Sequence, residues 1–370
     1  MPSYDDLEAK IINTGSCTVC GACILSCPNS HIKFLEGKPK RPKKKLDCVS
    51  CTICYEACYV LRPGVGEEIE SDVLGRLEKG GMGIHRRILA ARAKDRSMAK
   101  ACQDGGIITA ILLYALNNGL IDGALVVGRD GWMPVATTAK TTDDVLLASG
   151  TKYGVVPVLK ELRAAVVDHG LSHICVVGSP CHIQAIRYLK HRSLPIASPV
   201  KLTLGVFCRE NYYVHAISEK LKEKGLDSSR VDKFNITDEF NIYTGDKKLS
   251  FPITEVKSCV PRHCLVCQDY GSELADISVG SDSSPEGWST VFVRTAKGEA
   301  IISAMEKEGR IETMTMENLG YLDEIAARKR EKGKQTRDIF KLKEEGLGNK
   351  EIAAKLGIAE ERVSHRLGGT

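Results

Sequence analysis

The sequence predicts a mixed α/β (α+β) fold in three parts: a cysteine-rich domain over residues 1–66, an α/β core over 67–325 and a helical tail over 326–370. Two matched cysteine runs define the first part, and short apolar strands that alternate with helical segments define the second. The third part is charged and has a helical pattern. At 370 residues the chain is long enough for two or three domains.

The two cysteine runs share one spacing, C-x2-C-x2-C-x3-C, over residues 17–27 and 48–58. Bacterial-type ferredoxins with two [4Fe–4S] clusters have this spacing, and the fourth cysteine of each run binds the cluster of the other run. A zinc site needs four ligands in one closed tetrahedron and does not account for two matched runs. The predicted iron ligands are Cys17, Cys20, Cys23 and Cys58 for one cluster, and Cys27, Cys48, Cys51 and Cys54 for the other.

Tyr59 is one departure from the ferredoxin pattern. It follows the last cysteine of the second run, where that run would usually carry proline, as Pro28 follows the first run. The residue at this position shapes the turn and does not bind iron, so the predicted ligands are unaffected.

Composition indicates the setting and restricts the partners. The N-terminus is polar and lacks the apolar segment of a signal peptide, and the longest apolar stretch, 107–116, is too short to span a bilayer. Clustered thiolates in such a chain indicate a reducing cytoplasm. We expect a cytoplasmic protein that meets a membrane only peripherally, through a partner subunit. The net charge of +5 is too small an excess to indicate nucleic acid.

The core alternates between strand and helix signals. Strands are predicted at 123–128, 173–178 and 201–207, and helices at 107–118 and 180–190. The sequence contains neither the glycine-rich fingerprint of a Rossmann dinucleotide site nor a P-loop. It therefore predicts an α/β core without either of these nucleotide sites.

Seven cysteines follow the ferredoxin domain, and three of them fall within nine residues in the pattern C-x4-C-x2-C at 259–267. A fourth, distant ligand would complete a third [4Fe–4S] site. Cys181 is the first choice, because Ser179 and Pro180 place it at the start of a helix, where a thiolate is stabilised. A zinc site made of the three close cysteines and His263 stays open. The predicted cluster ligands are Cys181, Cys259, Cys264 and Cys267, with Cys208 as the alternative to Cys181.

A relay of single electrons needs a converter to two-electron chemistry, and flavin is the usual one. Gly105 and Gly106 immediately precede the helix predicted at 107–118. Glycines allow a close approach of the backbone, and a helix N-terminus favours the charge of a pyrophosphate. This segment is a candidate phosphate cradle, with a simple turn as the alternative.

The tail contains a pattern typical of a helix-turn-helix. Asn349 can cap the first helix and Gly357 can form the turn. DNA binding would require a basic second helix, but that helix opens with Glu360 and Glu361. We therefore expect a packing or subunit-docking tail and do not expect nucleic acid as a partner. The expected shared core of the two helices is Ile352, Ala353, Leu356, Ile358 and Val363.

Five motifs occur in order along the core. They are QDGG-x2-T at 103–109, SGTKY at 149–153, VGSPC at 177–181, GVFCREN at 205–211 and C-x4-C-x2-C-x-D at 259–269. Together they resemble the coenzyme F420 hydrogenase/dehydrogenase beta-subunit family, over about residues 80–325. With its N-terminal ferredoxin domain, the chain is most similar to the input subunit of F420H2 dehydrogenases of methanogens and related archaea.

The resemblance implies an F420-dependent oxidoreductase: an iron–sulfur flavoprotein with a flavin-binding α/β core, one FAD and three [4Fe–4S] clusters, and with coenzyme F420 as substrate. Reduced F420 would donate a hydride to the flavin. Single electrons would then leave through the cluster of Cys181, Cys259, Cys264 and Cys267 and the two ferredoxin clusters. Such a transfer depends on positioning and a dry pocket, so we assign no catalytic side chain. The implied partner is a redox protein or complex: a membrane dehydrogenase, a reductase or ferredoxin.

The family motifs also imply contacts with FAD and with F420. Lys152 would place a cation near the pyrimidine end of the flavin and stabilise its reduced anion, with a solvated loop lysine as the alternative. The acidic tail of F420 would suit a basic groove, which a charged helix within 86–100 could supply. The implied FAD contacts are Gly105, Gly106, Thr109, Ser149, Thr151, Lys152, Tyr153 and Ser179.

Two alternative functions fit the same residues. An F420-reactive beta subunit of a formate dehydrogenase, hydrogenase, sulfite reductase or F420:ferredoxin oxidoreductase would share this core, with the terminal chemistry on a partner. A redox-sensing DNA-binding regulator would use the clusters as its sensor and the tail as its reader.

Overall fold

The computed structural model describes residues 1–42, 48, 50–62, 64–75, 79–95, 102–227, 231, 233–236, 239–245, 247–316 and 318–367. None of the described helices combines the length and the apolar character needed to cross a membrane. The α-helices are α1 (Tyr4–Leu7), α2 (Ala22–Ser26), α3 (Ile53–Glu56), α4 (Val65–Leu74), α5 (Ile107–Asn117), α6 (Thr142–Leu147), α7 (Glu161–Val167), α8 (Pro180–His191), α9 (Val214–Glu223), α10 (Arg262–Leu265), α11 (Ala296–Lys307), α12 (Gly320–Glu344), α13 (Asn349–Leu356) and α14 (Glu360–Leu367).

Short helices of other types and the strands complete the described elements. A π-helix spans Glu8–Ile12, and 3-10 helices span Tyr59–Leu61, Val158–Lys160, Pro195–Ala197 and Ile253–Cys259. The strands are β1 (Lys33–Leu35), β2 (Lys38–Lys40), β3 (Lys79–Gly80), β4 (Gly83–Ile84), β5 (Arg87–Ala93), β6 (Gly123–Asp130), β7 (Met133–Ala139), β8 (Ile174–Gly178), β9 (Val200–Val206), β10 (Lys233–Ile236), β11 (Glu239–Thr244), β12 (Lys247–Pro252), β13 (Ile277–Gly280), β14 (Ser289–Val293) and β15 (Ile311–Thr315).

Eight strands form one mixed sheet in the order β15–β5–β14–β13–β9–β8–β6–β7. The pairs β6/β8, β8/β9 and β9/β13 are parallel, and the other pairs are antiparallel. The three strands predicted from the sequence are the central strands β6, β8 and β9, and the two predicted helices are α5 and α8. The prediction of a mixed α/β core is therefore confirmed.

Helices cover both faces of the sheet, because its inner strands are apolar on both sides. On one face, Ala124 and Val126 of β6 pack in a cluster with α5 and α11. On the other face, Leu125 of the same strand and Ile174 of β8 pack with α7 and α8. Cys175 lies on the first face and is fully buried, as expected of a small apolar side chain.

The cysteine-rich domain packs on the second face of the sheet. Ala22, Leu25 and Ala57 belong to the same apolar cluster as α7 and α8. The guanidinium group of Arg163 in α7 donates to the carbonyl oxygens of Leu25 at 2.6 Å and Cys27 at 2.9 Å. Shared packing and buried hydrogen bonds therefore fix this domain to the core.

The charged helix expected upstream of the glycine pair is instead strand β5, which lies between β14 and β15 in the sheet. Its run of small and apolar residues is buried between the neighbouring strands, which favours an extended backbone. Arg87 pairs with Glu306 at 2.8 Å, and Arg92 pairs with Glu312 at 2.9 Å. The expected basic groove therefore loses these two cations to ion pairs, and residues 96–100 lie outside the described part of the chain.

The helical tail begins earlier than expected. α12 starts at Gly320, so the expected boundary at 326 falls inside one continuous helix. Gly357 forms the turn between α13 and α14 with a φ of +64°. Asn349 is the first residue of α13, and the residue at the cap position is Gly348. The expected shared core is present, and two residues of α12 join it: Ile339, Leu342, Ile352, Ala353, Leu356, Ile358 and Val363.

Candidate functional site

Four thiols converge beyond the carboxyl ends of two parallel strands. Cys181 is the second residue of α8, shortly after β8, and Cys208 follows the neighbouring strand β9. The carboxyl ends of parallel strands meet at one edge of a sheet, so residues distant in sequence come together there. Cys264 in α10 and Cys267 shortly after it complete the group. All four line one cavity of about 690 Å³, which we call the thiol cavity.

Burial and mutual repulsion make these thiols poor anions on their own. Burial raises the pKa of Cys181, and the charges of Cys208 and Cys267 raise it further. Burial also raises the pKa of Cys264 and raises that of Cys208 to about 11. A bound metal reverses this preference, because a coordinating thiol loses its proton. Four cysteines around one cavity are the donor set of a [4Fe–4S] cluster, so these residues fit that group.

Lys329 of α12 brings a cation to the thiol cavity. Its ammonium group donates to the carbonyl oxygen of Cys208. Burial alone would lower the pKa of Lys329, but the thiolates of Cys267 and Cys208 raise it, so this lysine stays charged. A side-chain carbon on Gly333 would fall 2.6 Å from the carbonyl oxygen of Cys267, so α12 lies directly against the thiols. Sequence analysis did not identify Lys329 as a site residue. No local motif surrounds it, and it lies in the segment expected to be a tail.

Cys259 lies apart from the other thiols, which corrects the grouping expected from spacing. Its thiol is beside Ser258 and Lys220, and Cys259 is not among the described residues that line the thiol cavity. It ends a 3-10 helix, whereas the other two cysteines of its motif lie in and after α10, beyond a proline. The structure brings Cys208 to the group in its place, so Cys181 and Cys208 are both present.

The zinc alternative loses Cys259 for the same reason, whereas His263, Cys264 and Cys267 all line the thiol cavity. Zinc would hold its ligands at about 2.0–2.3 Å from one ion. Within the described ranges, no three His, Cys, Asp or Glu side chains are placed to hold a single ion; a four-iron cluster is larger and takes thiols that stand further apart. Burial and the charge of His182 lower the pKa of the expected zinc ligand His263 to about 4, so its ring is neutral, which is the form that can bind a metal.

The cysteines of the N-terminal runs lie in two groups. In the first group, burial raises the pKa of Cys23, and the charges of Cys17, Cys20 and Cys58 raise it further. Cys58, from the second run, therefore lies with the first three cysteines of the first run.

The second group contains the other four cysteines. Burial raises the pKa of Cys54 to about 12, and the charges of Cys51 and Cys27 contribute. The backbone N–H of His31 donates to Cys27 Sγ at 3.2 Å, and its Nδ1 atom lies 3.4 Å from Cys48 Sγ. The exchange of the fourth cysteine between runs is the arrangement typical of a two-cluster ferredoxin, and iron binding itself stays a prediction.

The glycine pair before α5 is required by close packing. A side-chain carbon on Gly105 would lie 2.4 Å from the carbonyl oxygen of Ala91 and 2.8 Å from the backbone nitrogen of Ser289. The Gly105 N–H donates to Ser289 Oγ, and the Gly106 N–H donates to the Gln103 carbonyl oxygen, both at 3.1 Å. Both glycine amides therefore have partners within the protein. A phosphate here would meet the first turn of α5 rather than these amides.

Lys152 is a half-buried lysine held by the loop backbone and not a solvated loop lysine. Its ammonium group donates to the carbonyl oxygens of Ala148 and of Ser149, the latter at 2.6 Å. Burial and the charge of Arg129 lower its pKa to about 7, and the charge of a Cys102 thiolate opposes this shift. An anion placed beside Lys152 would therefore be strongly stabilised.

The loop at 149–153 lies between the glycine pair and the thiol cavity. The Thr151 N–H donates to Gln103 Oε1 at 3.3 Å. Tyr153 is largely buried, with Gln103 on one side and Cys208 within electrostatic reach. The region around the glycine pair and the thiol cavity are therefore adjacent.

The remaining expected FAD contacts divide between these two regions. Thr109 is buried on α5 and hydrogen-bonds with Cys102. Ser179 lies instead with the thiols, where its Oγ atom is 3.2 Å from Cys181 Sγ. The residues that lie together around the glycine pair are Gly105, Gly106, Thr109, Ser149, Thr151, Lys152 and Tyr153.

Comparison with known proteins identifies the core. Residues 88–163 match the N-terminal model of the family described as coenzyme F420 hydrogenase/dehydrogenase, beta subunit, and residues 171–318 match the C-terminal model of the same family. Together the two matches cover more than half of the chain.

The chain is similar to F420-linked oxidoreductases. It is 37% identical over 279 residues to coenzyme F420 hydrogenase subunit beta of Methanothermobacter thermautotrophicus, covering 72% of this chain and 98% of the relative. It is 33% identical to coenzyme F420-dependent sulfite reductase of Methanocaldococcus jannaschii, over 81% of this chain and 48% of the relative, so it spans about half of that protein. It is 29% identical to the F subunit of the F(420)H(2) dehydrogenase of Methanosarcina mazei, over 82% of this chain and 86% of the relative.

A solved structure has the same fold. A chain of the F420-reducing [NiFe] hydrogenase complex from Methanosarcina barkeri superposes with a TM-score of 0.66 at 34% identity. The match covers 70% of this chain and 94% of that chain, so part of this protein has no counterpart there. This protein is therefore a member of the coenzyme F420 hydrogenase/dehydrogenase beta-subunit family, whose named relatives are F420-linked oxidoreductases.

Proposed function

We propose that this chain oxidises reduced coenzyme F420 by hydride transfer to bound FAD and passes single electrons through three [4Fe–4S] clusters to a partner. The observation that carries the proposal is the convergence of Cys181, Cys208, Cys264 and Cys267 on a cavity beside the ferredoxin domain. Flavin supplies the conversion from two-electron to one-electron chemistry, and thiolate-bound clusters carry the single electrons.

The residues around the glycine pair fit an anionic, flavin-type ligand. Lys152 has a pKa of about 7 because it is buried, and negative charge beside it would restore its full positive charge. The first turn of α5 presents backbone N–H groups and the positive end of a helix dipole to a phosphate. Tyr153 hydrogen-bonds with Gln103 and lies within electrostatic reach of Cys208, so a flavin held here would lie near the thiol cavity.

Within this proposal, the third cluster is held by Cys181, Cys208, Cys264 and Cys267 rather than by the set that includes Cys259. Lys329 offsets part of the negative charge of four thiolates, which favours the reduced form of a cluster. Helix α12 packs against Cys267 and forms one side of the site.

The ferredoxin domain favours an input subunit of the F420H2 dehydrogenase type over a bare hydrogenase beta subunit, although the sulfite reductase is also matched by 81% of this chain. The hydrogenase beta subunit is matched along 98% of its length by only 72% of this chain. The F subunit of the dehydrogenase is matched along 86% of its length by 82% of this chain. The final acceptor would then lie on a partner redox protein or complex, as it also would if the core served a hydrogenase or a sulfite reductase.

The regulator alternative gains no support from the tail. Helix α14 opens with Glu360 and Glu361, and both side chains are exposed. Two exposed carboxylates at the start of the second helix would repel phosphates, so the helix pair is better suited to contacts with protein.

The test uses anaerobically purified protein. We expect about twelve iron atoms and one FAD per chain, from three four-iron clusters and one flavin. Rapid mixing with reduced F420 should bleach the flavin and cluster absorbance. Protein without FAD, or protein that holds FAD and does not respond to reduced F420, would refute the proposal.

A further inference from the structure

The excess positive charge of this chain is concentrated in one segment of the ferredoxin domain. Seven lysine or arginine residues and only two carboxylates lie between Cys27 and Cys48, which both belong to the second ferredoxin group. This segment therefore carries a net charge of +5, which equals the net charge of the whole chain. The rest of the chain is balanced. Charge of one sign gathered in one place creates a local field that steers a charged partner.

The described part of this charge lies on the hairpin of β1 and β2. Lys33 stands directly opposite Lys40 across the hairpin. Leu35 stands opposite Lys38 in the same way. Opposed residues, and alternate residues along a strand, point to the same side of a hairpin. These four side chains therefore share one side, which we call the hairpin face, whereas Pro39 points to the other side and is buried.

Packing does not account for the lysines of the hairpin face. Lys33 and Lys38 are exposed. Lys40 pairs with Glu36, and no ion pair among the described residues involves Lys33 or Lys38. Like charges that stand directly opposite each other, as those of Lys33 and Lys40 do, destabilise a strand pair. An anionic partner would remove this repulsion.

Both ends of the hairpin stand at the second ferredoxin group. The backbone N–H of His31, two residues before β1, donates to Cys27 Sγ at 3.2 Å. The Nδ1 atom of His31 lies 3.4 Å from Cys48 Sγ. Arg41, directly after β2, lies within electrostatic reach of Cys48. The hairpin face is therefore carried on the segment that holds two cysteines of this group.

The second ferredoxin group is also the one farther from the thiol cavity. None of its four cysteines is among the described residues that line that cavity. Cys20 of the first group, in contrast, lies within electrostatic reach of Cys181. The geometry therefore gives one order of sites: the thiol cavity, the first ferredoxin group and then the second. Electrons that follow this order leave the chain beside the hairpin face.

Exposed apolar side chains accompany the charge near the second group. Leu35 of the hairpin face is 42% exposed, and Ile53 is 41% exposed. Ile53 opens α3 and directly precedes Cys54. Protein interfaces combine apolar contacts with a polar rim. This combination favours a protein as the partner over nucleic acid or lipid.

We propose that the hairpin face is the docking surface for an acidic protein that accepts single electrons, an inference that rests on the proposed function. Lys33, Lys38 and Lys40 steer the acidic surface of the partner, and Leu35 contacts it directly. One electron passes from the second ferredoxin cluster to the oxidised redox centre of the partner, and no bond is formed or broken.

The test uses full-length protein that is purified anaerobically and reduced with a chemical reductant, which is then removed. Two oxidised carriers serve as probes: an acidic two-cluster ferredoxin, and cytochrome c, which is basic. Rapid mixing measures how fast each carrier is reduced, and a titration measures the affinity for the acidic ferredoxin. Both are measured at ionic strengths of about 0.01 M and about 1 M, where charges are weakly and strongly screened.

Lys33→Glu combined with Lys38→Glu reverses two charges of the hairpin face. At low ionic strength we expect the affinity for the acidic ferredoxin and its rate of reduction to fall about tenfold or more. Reduction of cytochrome c should become faster. Both changes should shrink at high ionic strength. Lys33→Gln combined with Lys38→Gln removes half as much charge and should give about half the effect on a logarithmic scale.

Lys350→Glu combined with Lys355→Glu is the matched control. Both lysines are exposed on α13, and this variant changes the net charge of the chain by the same amount. It should leave the rates with both carriers nearly unchanged, because the proposed effect depends on where the charge lies.

Carbodiimide cross-linking of the wild-type protein to the acidic ferredoxin locates the contact directly, because it joins lysine amines to carboxylates. We expect cross-links at Lys33, Lys38 or Lys40. This measurement decides the question even if a charge variant loses iron.

Three results would overturn the proposal. Equal effects of the hairpin and α13 variants would show that only the total charge matters. Cross-links confined to lysines outside residues 33–45 would place the docking surface elsewhere. Tighter binding of phosphatidylserine vesicles or duplex DNA than of the acidic ferredoxin would assign the face to another anion. None of these measurements needs F420 or FAD, so failure of the wild-type protein to oxidise reduced F420 would separately refute the proposed function.

Discussion

The thiol cavity and the ferredoxin domain each gather sets of four cysteines, but different structures support them. The cavity thiols stand at the edge of an eight-stranded sheet with apolar clusters on both faces. The ferredoxin thiols lie on and around very short elements, since α2 has five residues and α3 has four. Such short helices are not stable alone, and metal coordination would supply the missing folding energy. The fold positions the thiols of the thiol cavity, whereas bound metal would stabilise the fold around the cysteines of the N-terminal domain.

The largest test of this contrast is removal of iron. We expect the backbone amides of residues 17–58 in protein stripped of iron to exchange with deuterium much faster than in the loaded protein. The central strands β6, β8 and β9 should keep their protection, because their apolar contacts remain. Equal loss of protection in those strands would show that the two regions do not differ in this way.

A second test compares two cysteines of the core. Cys208→Ser should lose about four of the twelve expected iron atoms, because its thiol faces the cavity. Cys259→Ser is the matched control and should keep all of them, because its thiol lies beside Ser258 and Lys220. Iron analysis and cluster absorbance of the anaerobic variants measure the difference. Iron loss from the Cys259 variant alone would restore the grouping expected from spacing.

A third test concerns packing. Gly105→Ala places a carbon 2.4 Å from the carbonyl oxygen of Ala91, so β5 or the turn must shift. We expect a loss of about 1–3 kcal/mol in the free energy of unfolding, read from the thermal midpoint. Gly66→Ala in α4, beside the ferredoxin domain, meets no atom within 4 Å. That variant should be neutral or more stable by about 0.4–1 kcal/mol. Equal effects in the two variants would contradict the contrast between close and open packing.

The last test concerns the pH dependence of core stability. Burial lowers the pKa of Lys152 to about 7 in the folded protein, whereas an unfolded lysine titrates near about 10.4. Between these values the unfolded chain binds the extra proton, so stability should rise as the pH increases from about 7 to 10. Urea unfolding of FAD-free protein at about pH 7 and pH 9 measures this rise.

Lys152→Met should flatten the rise, because it removes the group that titrates differently in the two states. Lys140→Met is the control, since Lys140 is exposed at the end of β7. If the Lys152 variant kept the full slope, another group would be responsible for the pH dependence.

The features that could be predicted from the sequence depend on residues that lie close together along the chain. Cysteine spacing predicted how the eight N-terminal cysteines are grouped, while iron binding there stays a prediction. Ser179 and Pro180 predicted the start of α8 with Cys181 in its first turn. The choice between Cys208 and Cys259 depends on the pairing of β8 with β9, which no local pattern reports.

Two other features could not be predicted from local sequence patterns, because they also depend on tertiary contacts. Lys329 reaches the thiols only because a long helix crosses the expected domain boundary. The amides of Gly105 and Gly106 looked free for a phosphate, but their partners, Ser289 and Gln103, become visible only once the sheet and the turn are formed.

Helix α12 also decides where this chain can be divided for expression in pieces. A fragment that stops at 325 would lose Lys329 and the turn around Gly333, which form one side of the thiol cavity. A fragment that stops at the end of α12 would expose Ile339 and Leu342, which pack against α13 and α14. A truncation at either of these two points within α12–α14 would therefore remove packing contacts of the described chain. A deletion of this segment would therefore remove one side of the thiol cavity.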